Sequence, residues 1–189
     1  MKNKLITFFS IIILFPGCMF YSIKGSLPAH IHSIYLAPVI NESTEFIVAE
    51  ILNKDINRMM IDKNVLNIVS IDYADSQLRV VIQSVKDTPH TISLSDGLME
   101  QVEAWNLTIT ARVEWYDIQR NEIIIGRKMK SKGVYVSGLD ISNDNVDNDG
   151  DNLIDDEDDD EQGSPRESAL KISVRLLTED IINEITNTW

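Results

Sequence analysis

Hydrophobic and polar residues in VEAWNLTITARVEWYD alternate with a period of two. Trp105, Leu107, Ile109, Ala111, Val113 and Trp115 fall on one side, and Asn106, Thr108, Thr110, Arg112 and Glu114 on the other. Side chains of a strand point alternately to its two faces, so this pattern predicts a strand with one buried and one wet face. A turn around Gln119-Arg120-Asn121 leads into NEIIIGRKMKSKGVYVS, which reads as its antiparallel partner. That pairing sets Arg112 near Lys128, Thr110 near Lys130 and Thr108 near Lys132. Upstream, SQLRVVIQSVKD (Ser76 to Asp87) predicts another strand, closed by a loop marked by Pro89 and Ser95-Asp96-Gly97. Asn64 to Ile71 reads as a short strand. HSIYLAPVIN (His32 to Asn41) reads as a first strand broken by Pro38.

Two segments carry the helical period instead. From about Glu45 to Met60, Phe46, Ala49, Leu52, Ile56 and Met59 recur on one face, with Ser43 or Thr44 as cap and Glu45 at the positive end. Ser164-Pro165-Arg166-Glu167 is a capping box with proline at the first helical position. Leu170, Val174, Leu177, Ile181 and Ile185 then mark a face that runs almost to the end of the chain. The order β-α-β-β-β-β-α predicts an α+β fold, with two helices packed on one face of a mostly antiparallel sheet of four to five strands. No repeats are visible.

The beginning of the chain has a different pattern. Lys2 and Lys4 precede an apolar stretch, Leu5 to Phe15, of the length of a signal-peptide core and too short to span a bilayer. Cys18, the only cysteine of 189 residues, stands directly after it. A lone thiol makes no intramolecular disulfide, and zinc or iron–sulfur sites use several ligands. Leu14-Phe15-Pro16-Gly17-Cys18 resembles a bacterial lipobox, although Phe15 and Pro16 stand where Leu and a small residue are preferred. On this reading residues 1–17 are a lipoprotein signal peptide, Cys18 is the acylated mature N-terminus, and residues 18–30 are a lipidated tether. The alternative is an ordinary secretory signal, or a helical anchor, with an incidental cysteine. Residues 31–189 then form one domain with an Asp-rich insert at 139–163, and 172 mature residues suffice for a real core.

Charge is concentrated rather than spread. The chain carries a net charge of −13, yet twelve of its 30 acidic residues lie between Asp140 and Glu161, where there is no Lys or Arg. The remaining 18 face 17 basic residues, so the domain outside the insert is near neutral. Nucleic acid is an unsuitable partner for such a chain.

Several stretches, taken in order, resemble LptE-family outer-membrane lipoproteins. They are the lipobox, then Tyr21-Ser22-Ile23-Lys24-Gly25-Ser26 with Leu27-Pro28, and the strand Ile34-Tyr35-Leu36-Ala37-Pro38-Val39. Asn41-Glu42-Ser43-Thr44 follows at the helix start, then Gly133-Val134-Tyr135 in the return strand and Arg166-Glu167-Ser168-Ala169-Leu170 opening the last helix. Met19-Phe20 departs from the family's usual Gly after the cysteine. The resemblance implies a non-enzymatic protein of the outer membrane, held by acylated Cys18 and facing the periplasm or a barrel lumen. There it would bind and plug an LptD-type β-barrel translocon and support lipopolysaccharide transport and assembly. A second class, periplasmic lipoproteins of the LpoB/CsgG type that activate a synthase or build a secretion pore, shares the lipobox and the early strand-to-helix pattern. A generic calcium-dependent surface lipoprotein is a third reading.

Two constellations carry candidate chemistry. Arg112, Lys128, Lys130 and Lys132, interleaved with threonines, form a face suited to charge-assisted hydrogen bonds with lipid A phosphates. The plainer reading is a solvated sheet face whose lysines discourage edge pairing. In the insert, Asp147, Asp149, Asp151, Leu153, Asp155 and Asp158 occupy positions 1, 3, 5, 7, 9 and 12 of a calcium loop, with Leu153 offering its carbonyl. Asn152 replaces the usual turn glycine and Asp158 the bidentate Glu, so the expectation is one weak structural Ca²⁺, against an acidic loop that merely repels itself. No cofactor is otherwise required. His30, His32 and His90 read as ordinary surface histidines, and no nucleophile elbow, P-loop or Cys–His pair suggests an enzyme.

Overall fold

The computed structural model describes residues 28–95, 99–136 and 164–187. The signal segment, Cys18 and the insert with its Asp147–Asp158 calcium spacing lie outside those residues. Strands β1 (Ser33–Leu36) and β2 (Ile40–Asn41) flank Pro38, as the broken first strand predicts. Both pair in parallel with β4 (Ser76–Ser95), through Leu36 opposite Leu78 and Ile40 opposite Val81. Four steps on one strand match three on the other, so the Ala37–Val39 stretch bulges and takes proline out of the ladder. Helix α1 (Val48–Asp62) carries the chain back to β3 (Asn67–Ile68), which lies parallel on the far side of β1. Parallel neighbours need such a crossover. Strand β3 is shorter than the Asn64–Ile71 expected, because Asn64 turns the chain at φ 45° and Ile71–Tyr73 winds into a 3₁₀ turn.

The body of the sheet is the antiparallel meander β4, β5 (Met99–Asp117) and β6 (Glu122–Val136). Six strands lie in the order β3-β1-β4-β5-β6, with β2 also on β4. The α+β architecture is the one expected; the extra strand comes from the break at Pro38.

Strand β4 differs most from the sequence reading. It does not end at Asp87 but runs through Pro89, opposite Trp105, to Ser95. Beyond Ile82 there is no more of β2 beside it, so at Pro89 β4 is an edge strand, where a missing N–H costs no ladder bond. Past Ala104, which pairs with Val136 at the end of β6, β4 and β5 continue as a two-stranded ribbon.

Helix α2 (Pro165–Asn187) starts with the capping box formed in both directions, Ser164 N–H to Glu167 Oε2 at 3.1 Å and Glu167 N–H to Ser164 Oγ at 3.4 Å. Its predicted face, Leu170, Val174, Leu177, Ile181 and Ile185, is buried throughout. It joins Leu52, Ile56 and Met60 of α1 against Leu78, Ile82, Leu107, Ile109, Ala111 and Trp115 of the sheet. Each buried Leu, Ile, Val or Met among them contributes about 1.5–3 kcal/mol.

The start of α1 is corrected. Asn41 Oδ1 accepts from both the N–H and hydroxyl of Ser43, and Asn41 Nδ2 donates to the Glu45 carbonyl, so Asn41 and Ser43 build a turn before the helix rather than a cap on it. Phe46 consequently stands outside the first turn, 90% exposed, and Val48 takes the core place expected for it. Glu45 pairs with Arg166 of α2 at 2.8 Å. Arg166 also grips Asp87 of β4, to which Tyr135 of β6 donates its hydroxyl, so one guanidinium ties both helix starts to the sheet. At the far end of α2, Glu184 pairs with Arg127 of β6.

Candidate functional site

The helices cover one face of the meander, and the outward-pointing side chains of the other face are exposed or half-buried along most of its length. Strand β5 sets its composition, since Asn106, Thr108, Thr110, Arg112 and Glu114 all point away from the core. The register of β6 is the one the sequence predicts: Thr108 opposite Lys132, Thr110 opposite Lys130 and Arg112 opposite Lys128. All three lysines and Arg112 are exposed. The structure therefore brings the four predicted residues together.

Strand β4 adds two cations that sequence reasoning missed. Arg79 lies opposite Glu114, and Lys86 opposite Thr108, both pointing outward. Strict alternation from Arg79 would turn Lys86 inward. The one-residue shift between Ile82 and Ser84 reverses the phase and sends it out. A bulge of this kind leaves no mark in the local pattern.

Among the described residues, six cations thus share this face with one carboxylate, Glu114. That carboxylate is divided between Arg79 at 3.7 Å and Arg112 at 3.5 Å. Among the described residues no ion pair is formed by Lys86, Lys128, Lys130 or Lys132. Successive outward lysines of β6 stand about 6.6 Å apart, and neighbouring strands about 4.8 Å, so one anionic group can meet two cations and a threonine hydroxyl at once. Below the lysines, Gln77, Arg79, Glu114, Tyr116 and Ile123 line an open depression of about 380 Å³ with both apolar and charged walls. The arrangement can hold anions and an adjoining apolar group.

A second polar cluster closes the end of the sheet where the described chain begins. Asp75 accepts from the N–H groups of His32 and Ser33 at 3.0 Å and from the Ser33 hydroxyl at 2.8 Å, and these bonds hold its carboxyl below the usual aspartate range. Buried Asp117 would be pushed up by its desolvation. The 2.5 Å bond to His30 Nε2 and the N–H of Arg120 outweigh that effect and leave it low. His30 is therefore a half-buried partner of Asp117, not a surface histidine as expected; His32 and His90 are exposed. The cluster fastens residues 30–33 to the sheet, and its hydroxyls are spent on backbone and carboxylate.

Among the described residues, no group of three or more His, Cys, Asp or Glu is arranged to hold a metal. Cys18 and the calcium-spaced aspartates lie outside them.

No protein-family model and no curated protein matches this chain. Solved structures do. The hypothetical protein CT253 from Chlamydia trachomatis has a TM-score of 0.54 at 14% identity, over 84% of this chain and 97% of that one. XCC0632 from Xanthomonas campestris, of family DUF330, has a TM-score of 0.54 at 8% identity, over 85% and 89%. Uncharacterized lipoprotein B from Nitrosomonas europaea has a TM-score of 0.50 at 11% identity, over 89% and 91%. At these identities the likeness is one of fold, a fold that a bacterial lipoprotein shares. It does not by itself assign the chain to the LptE family.

Proposed function

We propose that this chain is a non-catalytic lipoprotein of the outer membrane, anchored through Cys18, that takes the phosphates of lipopolysaccharide on its basic sheet face and works with an LptD-type β-barrel. The observation that supports this reading most is the charge asymmetry of the sheet. A chain of net charge −13 gathers, among its described residues, six cations around one carboxylate on a single open face, four of them in the register that the strand pattern predicts. The lysine column from Lys128 to Lys132 spans about 13 Å. That length suits a disaccharide with a phosphate at each end, and the depression beside Ile123 and Tyr116 offers an adjoining apolar wall. The lipobox, the ordered LptE-like stretches and the shared fold of a bacterial lipoprotein support the anchor and the membrane.

Reversing two charges at once, Lys128→Glu with Lys130→Glu, should weaken binding of purified lipopolysaccharide by at least about tenfold, because each charge-assisted bond contributes about 1.5–3 kcal/mol. Unchanged binding would remove the glycolipid from the reading. Affinity isolation from detergent-extracted membranes tests the partner separately: the expected companion is an outer-membrane barrel, and its absence overturns the translocon role.

A further inference from the structure

Exposed apolar side chains collect at the end of the domain from which the chain leads back to Cys18. The start of β1 lies beside the starts of β3 and β4, and the end of β5 and start of β6 complete that end of the sheet. The bond between His30 and Asp117, and those of Asp75 to residues 32 and 33, hold the incoming chain there. The last turn of α1 arrives at the same end, followed by the 3₁₀ turn. From these elements Tyr73 stands 80% exposed, Ile61 66%, Ile123 59% and Ile71 45%. We propose that this end is a bilayer-docking surface: Ile61, Ile71, Tyr73 and Ile123 seat in the lipid interface and set the domain upright on the membrane.

The proposal rests on the reading of Cys18 as the lipidated residue. Ten residues from Cys18 reach Pro28, at most about 35 Å of extended chain, so the anchor keeps this end within reach of the headgroups. Tyrosine and isoleucine suit that boundary, the ring lying at headgroup depth and the aliphatic chains below it. The 3₁₀ turn has a fixed frame. The Tyr73 N–H donates to the Ser70 carbonyl and the Ala74 N–H to the Ile71 carbonyl, so Ile71 and Tyr73 are presented from a closed turn. Positive charge does not drive the attraction, since exposed Lys63 and Arg120 are outnumbered at this end by exposed Asp62, Asp72 and Glu122. Docking through this end is apolar and insensitive to salt, in contrast to ligand binding on the lysine face. It leaves the lysine face standing across the membrane plane and the β4–β5 ribbon directed away from the lipid.

The test uses the lipid-anchored protein in phosphatidylcholine vesicles. Single cysteines at Ile61→Cys, Tyr73→Cys and Ile123→Cys, and at the distant exposed positions Phe46→Cys and Ile92→Cys, carry an environment-sensitive fluorophore read against nitroxide-bearing lipids. The expected result is blue-shifted, quenched emission at 61, 73 and 123 and neither change at 46 or 92. It should persist from about 0.1 M to about 1 M salt, where the Debye length falls from about 10 Å to about 3 Å. Unquenched labels at 61, 73 and 123, equal quenching at all five, or release by salt overturns the docking surface. So does shielding of the three labels by a co-purified barrel. The parent protein is the separate control. With Cys18 blocked by its lipid it takes up no label, whereas labelling of Cys18 overturns the anchor itself, and the docking with it, before any quenching is read.

Discussion

Gly133 of β6 allows the sheet and α2 to meet backbone to backbone, and replacing it with alanine is the sharpest test of that packing. A Cβ at Gly133 would lie 2.3 Å from the Ala169 carbonyl oxygen and 2.7 Å from Ser173 Oγ. An ordinary carbon–oxygen contact is about 3.3–3.6 Å, so the overlap with Ala169 is about 1 Å. The nearest atom belongs to the helix backbone and cannot rotate away. The helix must instead lift over a core that includes Leu170, Val174 and Leu177, all essentially inaccessible. Overpacking of this kind costs about 1–3 kcal/mol, and the lower entropy of an unfolded chain with alanine returns only about 0.4–1. The net expectation for Gly133→Ala is a loss of about 1–2 kcal/mol, a fall of about 2–8 °C in Tm for a chain of this size. Gly126 of the same strand is the internal control. There a Cβ meets only Ile123 Cγ2 at 3.0 Å, a methyl of an exposed side chain that a χ1 rotation can move aside. Gly126→Ala should leave Tm unchanged or raise it slightly. Thermal melts by circular dichroism decide the matter, and equal stability of the two variants would refute the close approach.

Other expectations follow from the same contacts. Asp75 and Asp117 are held below the ordinary aspartate pKa, so the stability they contribute is complete above about pH 4 and is lost as pH falls through their lowered folded values. Asp75→Asn should therefore destabilise the protein at neutral pH and flatten the fall in denaturant midpoint below about pH 4; an unchanged acid slope would rule out this origin. Arg166→Ala removes the tie between Glu45 and Asp87 and, for a partly exposed network, should cost about 1 kcal/mol, less in high salt. Leu177→Ala should cost about 2–5 kcal/mol by opening a cavity between helix and sheet, read from the urea midpoint at constant m. The calcium spacing of the insert, a reading of sequence alone, is tested by titration calorimetry: the expected result is a single site with Kd about 10⁻⁴–10⁻³ M, lost in Asp149→Ala and Asp151→Ala, and absent heat in the parent protein ends that reading.

Local pattern alone specified the β5–β6 hairpin and α2. The Trp105–Trp115 alternation and the Ser164–Glu167 box are each satisfied by neighbours a few residues away, and the Arg120 turn sets the register that aligns Thr108, Thr110 and Arg112 with Lys132, Lys130 and Lys128. Periodicity of that kind survives into three dimensions because one buried face penalises any slip by a residue. What the chain could not show locally depended on distant partners. Pro89 is tolerated inside a strand only because β2 has already ended, and Lys86 faces the lysine column only because a bulge reverses the phase of β4. Phe46 has the helical spacing of a core residue and is left outside because Asn41 and Ser43 turn the chain before the helix begins. His30 finds Asp117 across 87 residues, and no spacing rule reaches that far. The sequence by itself therefore determined most of the buried face and the pairing of β5 with β6. Tertiary structure decided where the pattern shifts phase, and with it the full set of cations on the open face, because phase is set by which strand ends beside which.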